Sequence, residues 1–484
     1  MREFDDLSHV VALLSWDQET NMPRTGAAAR AAQLSTLNVL RHERLCDPRL
    51  GELLELGAEG EPSQEQAAMI RNLEHDRDRA VRLPVEFVRR MAAAESRGAS
   101  IWREARAADD FGMYRPVLEE IVGYKREQAE LIGYEGEPYD ALLDAYEPGM
   151  TVARLEPLLA SLRVELERIL GAIRGRPAAP VAPFVSRTFE PAAQWELTLR
   201  ILRDIGFDLG AGRQDISAHP FSTSISLQDV RLTTRLDESN PFDAIYSSIH
   251  EAGHGMYEQG FDPRFAGTPL AQAPSHGIHE SQSRMWENWV GRSRPFIEHY
   301  TPIMREAFPD ALADADAGQI YDEVTRVEPT LIRVESDEVT YNLHILIRFE
   351  LELALLRGEL EVAELPDAWN DTYERTLGIR PPSDALGVMQ DIHWSHGSHG
   401  YFPSYTLGNL YAAVLWEALV RDLPDAEAGF AEGSFAPVLE WLREHVHRLG
   451  YLHSAEDTVR IASGGRGLEV GALVRYLDTK YETA

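Results

Sequence analysis

The sequence predicts a mostly α-helical fold that contains one small antiparallel β-sheet. Through about the first 200 residues, apolar side chains recur every three to four positions within long charged stretches, and the alternation typical of a strand is absent. Around residues 216–236 the spacing changes, because residues 221–227 and 230–234 alternate with period two, which indicates two or three short strands. The helical spacing is most regular over residues 68–83, 85–107 and 152–174.

A further helix is expected directly after these strands. Asn240 suits the position that caps a helix, and Pro241 suits the first helical position. Asp243 falls in the first turn, where an acidic side chain stabilises the helix dipole, and Gly260 marks the expected end. The apolar stripe of this helix consists of Ile245, Ile249, Ala252, Gly253 and Met256.

This helix carries the motif His-Glu-x-x-His at residues 250–254. Two histidines four residues apart point the same way, so His250 and His254 can each give one imidazole nitrogen to a single Zn²⁺ ion. Glu251 lies close enough to act on a water molecule at such an ion. The alternative is a pair of core histidines on an amphipathic helix, but the intervening glutamate and the well-formed helix favour zinc.

A peptidase zinc needs a third protein ligand. Tyr257 and Gly260 stand where the H-x-x-G-x-x-H continuation would place its glycine and its histidine, so that class of zinc site is excluded. Glu280 and Glu287 lie two turns apart on one face of a later helix, and their spacing fits either as the ligand. Glu258 is a poor candidate because it shares the helix of the histidine pair.

Residues 331–356 predict a long helix with a polar stripe between apolar residues. Such a stripe is typical of a helix that lines a wet cleft, and the alternative is an ordinary face in solvent. The stripe consists of Arg333, Asp337, Thr340, Tyr341, His344 and Arg348.

Residues 387–405 form a second unusual segment, which combines three histidines, two tyrosines and several glycines. A second metal site is one interpretation, but His393, His396 and His399 do not have the spacing of a closed site. The composition favours side chains that donate hydrogen bonds to a substrate or its transition state.

The whole chain of 484 residues has the composition of a soluble globular protein, and we expect one domain over residues 1–484. No apolar run is long enough to span a membrane, and the acidic first residues do not resemble a signal peptide. Cys46 is the only cysteine, so an intrachain disulfide is excluded and a cytoplasmic location is expected.

The net charge of −32 would repel nucleic acids and anionic membrane surfaces, so neither is expected as a partner. Lysine occurs only at Lys125 and Lys480, and nearly every cation is an arginine. Genome composition explains this bias more simply than adaptation to salt.

Several separate blocks, in order along the chain, carry a resemblance to a known family. The blocks are residues 15–20, 22–23, 30–34, 229–233, 250–254, 279–283, 332–337 and 387–394. On these blocks the sequence resembles the Taq carboxypeptidase family of zinc metallocarboxypeptidases, over essentially its full length. Ser336 stands where the family usually has alanine, an exchange of one small residue for another that should leave the site intact.

The resemblance implies a fold and an assembly. The family fold is a helical, saddle-like body in which two lobes flank a deep groove, with a small sheet beside the zinc, similar to neurolysin and angiotensin-converting enzyme. Members of the family are commonly homodimers, so a homodimer is expected.

The resemblance also implies roles for individual residues. It makes Glu280 the third zinc ligand beside His250 and His254, with Co²⁺ as a possible substitute for Zn²⁺. Glu251 would then be the general base, with Tyr405 and His399 donating to the oxyanion of the transition state.

Substrate contacts follow from the same resemblance. Tyr401 is the rival of Tyr405 and is otherwise expected to contact substrate. Arg333 is the expected ligand of the substrate carboxylate, because the planar guanidinium makes two charge-assisted bonds to a carboxylate. Arg231, Arg284 and Arg348 are the alternatives.

The implied activity is hydrolysis of the last peptide bond of peptides with a free C-terminus, which releases single amino acids with broad specificity and poor activity on proline. A zinc oligopeptidase or a dipeptidyl carboxypeptidase on the same scaffold is one alternative. The other is a helical binding protein with a vestigial metal, against which the intact Glu251 argues.

Overall fold

α-Helices make up most of the chain, as the sequence predicts. The computed structural model describes residues 2–177 and 180–483. The helices predicted over residues 68–83, 85–107 and 152–174 are confirmed as α4, α5 and α8. The helices that precede the sheet are α1 (Arg2–Thr20), α2 (Ala27–Leu45), α3 (Pro48–Ala58), α4 (Gln64–Arg82), α5 (Val85–Ala108), α6 (Phe111–Ile132), α7 (Pro138–Leu143), α8 (Val152–Arg174) and α9 (Pro191–Ile205).

Helix α4 begins earlier than the apolar spacing predicts. The hydroxyl of Ser63 accepts a hydrogen bond from the backbone N–H of Gln66, and the Gln66 side chain accepts one from the backbone N–H of Ser63. This reciprocal pair is a capping box, which satisfies two N–H groups that the first turn leaves without helical partners. Because the box uses only polar side chains, the search for an apolar stripe misses it.

The sheet contains the strands β1 (Gly212–Ile216), β2 (Ser222–Ser226) and β3 (Asp229–Thr234), in the order β1-β3-β2. β2 and β3 are antiparallel, as expected, but β1 and β3 are parallel, so the sheet is mixed and the expectation of a wholly antiparallel sheet is wrong in this respect. Strand β3 is the central strand, with β1 on one side and β2 on the other. β1 and β3 run in the same direction, and β2 runs in the opposite direction. Alternation of side chains predicts a strand but does not specify its neighbours.

Helix α10 follows the sheet with the predicted bounds. The Asn240 side chain accepts a hydrogen bond from the backbone N–H of Phe242, Pro241 is the first helical residue, and Gly260 caps the end. The later helices are α10 (Pro241–Gln259), α11 (His276–Arg284), α12 (Arg294–Ala307), α13 (Ala317–Val324), α14 (Thr340–Arg357), α15 (Leu365–Leu377), α16 (Pro403–Asp422), α17 (Ala426–Phe430), α18 (Ala436–His445), α19 (Ala455–Ser463) and α20 (Val470–Tyr481). Among the described residues, no helix combines the length and the apolar character needed to cross a membrane.

The helix predicted over residues 331–356 is shorter, because α14 begins only at Thr340. The Asp337 carboxylate accepts hydrogen bonds from the backbone N–H groups of Val339 and Thr340, each at 2.9 Å. These bonds cap the first turn and stop the helix from extending towards its N-terminus. Arg333 therefore lies in a separate 3₁₀ turn, Arg333–Glu335, and not on α14.

Most of the polar stripe of this segment is buried within the protein, so it is not an ordinary face in solvent. His344 and Arg348 are fully buried, and Tyr341 is nearly so. The His344 imidazole bonds to the hydroxyl of Tyr373 at 2.9 Å, and Arg348 donates to the carboxylate of Asp391. The helical spacing indicates that these polar side chains share one face of the helix. It does not distinguish a buried hydrogen-bond network from a face in solvent, because both have the same spacing.

Both lysines of the chain lie beside a carboxylate, and each lysine side chain is only 8% exposed. Lys480 Nζ lies 2.6 Å from Glu338 Oε1, and the hydroxyls of Tyr476 and Tyr481 donate to the same carboxylate at 2.9 and 2.7 Å. This cluster joins α20 to the segment that leads into α14.

Replacing Lys480 by methionine is expected to lower the free energy of unfolding by about 3 kcal/mol, because it leaves the buried charge of Glu338 without its cation. Urea denaturation followed by circular dichroism measures the change. The exposed pair Arg89–Glu86 supplies the control, since Arg89→Met should change stability by less than about 1 kcal/mol. Equal changes in the two variants would contradict this interpretation of the cluster.

Candidate active site

Helices α10 and α11 bring two histidines and a glutamate together. Glu280 Oε2 lies 3.6 Å from His250 Nε2 and 3.3 Å from His254 Nε2. One ligand atom from each of the three side chains lies within 4.8 Å of the other two. Among the described residues this is the one group of three or more side chains placed to hold a metal ion.

These distances fit a tetrahedral divalent cation. Ligand atoms at about 2.1 Å from a tetrahedral ion are separated from each other by roughly 3.4 Å. Glu280 Oε1 is buried and has no hydrogen-bond partner in the described part of the chain, which is costly for a carboxylate oxygen unless a cation lies beside it. Two imidazoles and one carboxylate suit Zn²⁺, and they suit Co²⁺ as well.

Glycines allow the helices that carry these ligands to approach closely. A Cβ atom at Gly253 would lie 2.5 Å from the Cα atom of Ser283 on α11. A Cβ atom at Gly408, on α16, would lie 2.6 Å from Cγ of Glu280. Larger residues at either position would push α11 away, so the geometry of the three ligands depends on both glycines.

Glu287, the rival for the third ligand position, lies on the other side of His250. Its Oε2 atom is 2.8 Å from Nδ1 of His250, while the guanidinium groups of Arg284 and Arg292 donate to its two oxygens at 2.9 and 2.5 Å. Although burial raises the pKa of Glu287, the charges of these two arginines hold it well below its usual value. A permanently charged carboxylate at Nδ1 fixes the orientation of the ring and leaves Nε2 available to a metal.

Replacing Glu287 by glutamine is expected to weaken metal binding by about 10- to 100-fold, because the imidazole of His250 loses the charge that orients it. Competition with a chelator measures the dissociation constant. Glu258→Gln is the matched control, since this acid of α10 pairs with His279 at 2.9 Å and not with either motif histidine. An unchanged affinity in Glu287→Gln would contradict the orienting role.

Glu251 lies next to the three ligands and is also buried. Burial raises the pKa of Glu251 to about 7, and the negative charge of Glu280 adds to the rise, whereas His250 and a hydrogen bond from Ser222 oppose it. A carboxyl group with a pKa near neutrality can both accept and return a proton.

Tyr405 lies in the first turn of α16, and Tyr401 lies two residues before that helix begins. The hydroxyl of Tyr405 is 3.1 Å from Nε2 of His393, and the Tyr401 ring meets the Tyr405 ring edge-on at 5.1 Å. Burial raises the pKa of both tyrosines, and the negative charge of Glu280 adds to both shifts. Both hydroxyls therefore stay protonated donors, and either can serve an oxyanion.

His399 occupies a different environment. Its ring stacks on Trp394 at 6.2 Å, and within the described residues neither ring nitrogen has a hydrogen-bond partner. Burial lowers the pKa of His399 to about 3, and the charge of Lys125 adds to the effect, so the ring is neutral. No contact in the described part of the chain joins it to the three ligands, and its role as a donor stays a prediction.

Arg333 lies against the ring of Tyr405, with its guanidinium carbon 4.9 Å from the ring centre. Its Nε and Nη2 atoms donate to Oδ1 of Asp391 at 3.1 and 2.9 Å, and Nη1 donates to the hydroxyl of Tyr341 at 3.2 Å. Although burial raises the pKa of Asp391, the charges of Arg333 and Arg348 hold it far below its usual value. Asp391 thus fixes the plane of the Arg333 guanidinium.

The three arginines expected as alternatives to Arg333 donate hydrogen bonds to other side chains. Arg348 is fully buried and donates to Asp391 and Gln390. Arg284 donates to Glu287 and Asn409. Arg231 pairs with Asp229 at 2.8 Å and lies over the ring of Trp16 at 4.2 Å.

The comparison with known proteins now decides the family. A family model described as "Carboxypeptidase Taq (M32) metallopeptidase" matches residues 1–481. The chain belongs to this family. It is accordingly a metallocarboxypeptidase, a hydrolase that acts on peptide bonds, and its family requires a metal cofactor.

Curated relatives and a solved structure support the same family assignment. Thermostable carboxypeptidase 1 of Thermus thermophilus is 42% identical, with 99% of this chain and 96% of the relative aligned. Carboxypeptidase 1 of Bacillus subtilis is 36% identical, with 99% of this chain and 97% of the relative aligned. The crystal structure of an M32 carboxypeptidase from Deinococcus radiodurans superposes with a TM-score of 0.96 at 41% identity, covering 100% of this chain and 97% of that one.

Sequence reasoning missed two acids that support this carboxypeptidase site. Asp391 lies in the block of residues 387–394 that resembles the family, but nothing in the neighbouring sequence marks it as the partner of Arg333. Glu352 accepts hydrogen bonds from Trp394 Nε1 at 2.7 Å and from the backbone N–H of Gly400 at 3.1 Å, and so holds the histidine-rich loop. The signal that could have revealed Glu352 is its position within the apolar face of α14, where an unpaired acid would be costly.

Proposed function

We propose that this metallocarboxypeptidase uses zinc to release single amino acids from the C-terminus of peptides, with broad specificity and poor activity on proline. The observation that supports zinc hydrolysis is the convergence of His250, His254 and Glu280 at tetrahedral spacing with Glu251 beside them. Zn²⁺ held there would supply Lewis-acid chemistry, because it polarises the scissile carbonyl and lowers the pKa of water.

Glu251 is the general base and acid of the proposed reaction. Its carboxylate takes the proton of the attacking water and then returns it to the amine that leaves. The oxyanion that develops on the scissile carbonyl accepts a hydrogen bond from Tyr405, with Tyr401 as the second candidate. His393, bonded to the Tyr405 hydroxyl at 3.1 Å, orients that donor.

Arg333 is the proposed ligand of the terminal carboxylate of the substrate. A guanidinium has five N–H groups, and the bonds to Asp391 and Tyr341 use three of them. One N–H on each terminal nitrogen is left for a substrate carboxylate, which is the arrangement that a bidentate contact needs. Arg231, paired with Asp229 on strand β3, is the proposed secondary contact with substrate.

Timed digestion of one defined peptide, with and without a chelator, tests this proposal. Mass spectrometry is expected to show a ladder of products that lose one residue at a time from the C-terminus, and chelation should abolish it until Zn²⁺ or Co²⁺ is restored. Release of dipeptides or internal cleavage would instead identify an oligopeptidase or dipeptidyl carboxypeptidase. Cleavage that continues after the metal is removed would overturn the zinc mechanism.

We further propose that the protein is a cytoplasmic homodimer and that residues 1–484 form one domain with two lobes beside one groove. The family resemblance supports the dimer and the groove, and the single cysteine is compatible with a reducing compartment. Light scattering at micromolar concentration tests the dimer, and a single calorimetric transition is expected for one domain.

A further inference from the structure

Glu147 is a buried carboxylate that lies outside the group of metal ligands. It follows α7 in a tight turn, where its backbone N–H donates to the carbonyl of Leu143 and its own carbonyl accepts from the N–H of Met150. Only 2% of the residue is exposed to solvent. Burial of a carboxylate is costly unless hydrogen bonds replace the lost hydration. The hydrogen bonds of Glu147 therefore indicate which segments it holds in place.

One oxygen of Glu147 joins two helices. The backbone N–H of Gly277, in the first turn of α11, donates to Oε1 at 2.5 Å. The hydroxyl of Ser404, in the first turn of α16, donates to the same Oε1 atom at 2.6 Å. The neighbouring backbone adds a third link, because the N–H of His276 donates to the carbonyl of Tyr146 at 3.0 Å.

These two helices carry the residues on which the reaction depends. Glu280 lies one turn after Gly277 on α11, and Tyr405 directly follows Ser404 on α16. A Cβ atom at Gly277 would lie 3.0 Å from both carboxylate oxygens of Glu147 and 3.2 Å from Cβ of Leu407, so the glycine admits the carboxylate between the helices.

The charge of Glu147 suits this position. A negative charge near the N-terminus of a helix is stabilised by the helix dipole, and here two helices begin at the same carboxylate. Burial raises the pKa of Glu147 to about 7, whereas hydrogen bonds from Ser404, Ser275 and the N–H of Gly277 oppose the rise. All three of these groups are neutral donors, so the contact is one of hydrogen bonds and dipoles and not a salt bridge.

We propose that Glu147 is a positioning residue of the hydrolytic site, which sets the spacing between Glu280 and Tyr405 by holding the first turns of α11 and α16 on one carboxylate oxygen. The inference rests on the proposed role of Glu280 as a metal ligand. Glu147 touches neither metal nor substrate and acts only through these two helices.

The test compares Glu147→Ala and Glu147→Gln in the full-length protein loaded with Co²⁺. Alanine is expected to weaken Co²⁺ binding by about 10- to 100-fold, as for other residues that orient metal ligands, and to shift the visible absorption of the bound Co²⁺. Glutamine keeps a carbonyl oxygen for Gly277 and Ser404, and its amide can donate to Ser275. It is therefore expected to restore the wild-type spectrum and most of the affinity.

A core variant separates positioning from simple loss of stability. Leu162→Ala removes a fully buried side chain from α8, which packs mainly on α14 and α20, so it should destabilise the fold while its folded form keeps the wild-type Co²⁺ spectrum and affinity. Unchanged Co²⁺ spectrum and affinity in Glu147→Ala, or equal changes in Leu162→Ala, would overturn the positioning role. So would a glutamine variant that is as impaired as the alanine variant.

The variant Glu280→Gln distinguishes a failure of the positioning role of Glu147 from a failure of the proposed function. If Glu280 is the ligand, Glu280→Gln should lose Co²⁺ binding whatever the outcome at Glu147. Wild-type binding in Glu280→Gln would show that the ligand assignment itself is wrong.

Discussion

Replacing Glu251 by glutamine is expected to lower kcat by about 10²- to 10⁴-fold, the usual contribution of a general base, while the metal content stays at one ion per chain. Glutamine has the same shape and can still accept the hydrogen bond from Ser222, so the buried site should keep its packing. It cannot accept a proton from water. The loss should therefore appear in turnover and not in metal binding or stability.

Steady-state kinetics on one defined peptide, together with metal analysis of the same sample, measures this result. Glu258→Gln is the matched control, because Glu258 belongs to the same helix and pairs with His279. A Glu251→Gln variant that retains near wild-type turnover with metal bound would remove Glu251 from the mechanism. Loss of metal in that variant would instead assign Glu251 a structural role.

The second large effect is expected at Arg333. Two charge-assisted hydrogen bonds of about 1.5–3 kcal/mol each bind the terminal carboxylate, so Arg333→Ala should lower kcat/KM by roughly 10²- to 10⁴-fold on peptides with a free C-terminus. KM should rise, because the ground state makes the same contact. Asp391 keeps Arg348 as a partner, so the buried carboxylate is not left without a cation.

Peptides with an amidated C-terminus supply the decisive control. These substrates lack the charged carboxylate, so Arg333→Ala should change their cleavage far less than that of the free acids. Arg333→Lys should recover only part of the activity, because an ammonium group keeps the charge but not the planar fork. Equal losses on the free and the amidated peptides would argue against a carboxylate contact and for a general disturbance of the site.

Local patterns were sufficient for those parts of the fold that depend on neighbours in sequence. Helical hydrogen bonds join residues four apart, so spacing, caps and glycines predicted α5, α8 and α10 within a residue or two at each end. The same locality explains why residues 250–254 alone indicate two candidate ligands and a candidate base: His250, Glu251 and His254 share one helix.

Features that join distant segments required the tertiary structure. Sequence spacing fitted both Glu280 and Glu287 as the third ligand, although the resemblance selected Glu280; in the fold Glu280 faces both Nε2 atoms, and Glu287 lies behind His250. The parallel pairing of β1 with β3 and the burial of the stripe on α14 are of the same kind. Each of these features depends on which helices and strands pack against each other in the folded chain.

The sequence by itself determined the helices, the His-Glu-x-x-His motif, the acidic charge and the family resemblance. Only the tertiary structure showed that Asp391 fixes Arg333 and that Glu147 joins the helices of Glu280 and Tyr405. The physical reason is the range of the interactions. Periodicity records which residues share a face within one element, whereas distances between side chains of different elements arise from close packing of the whole chain.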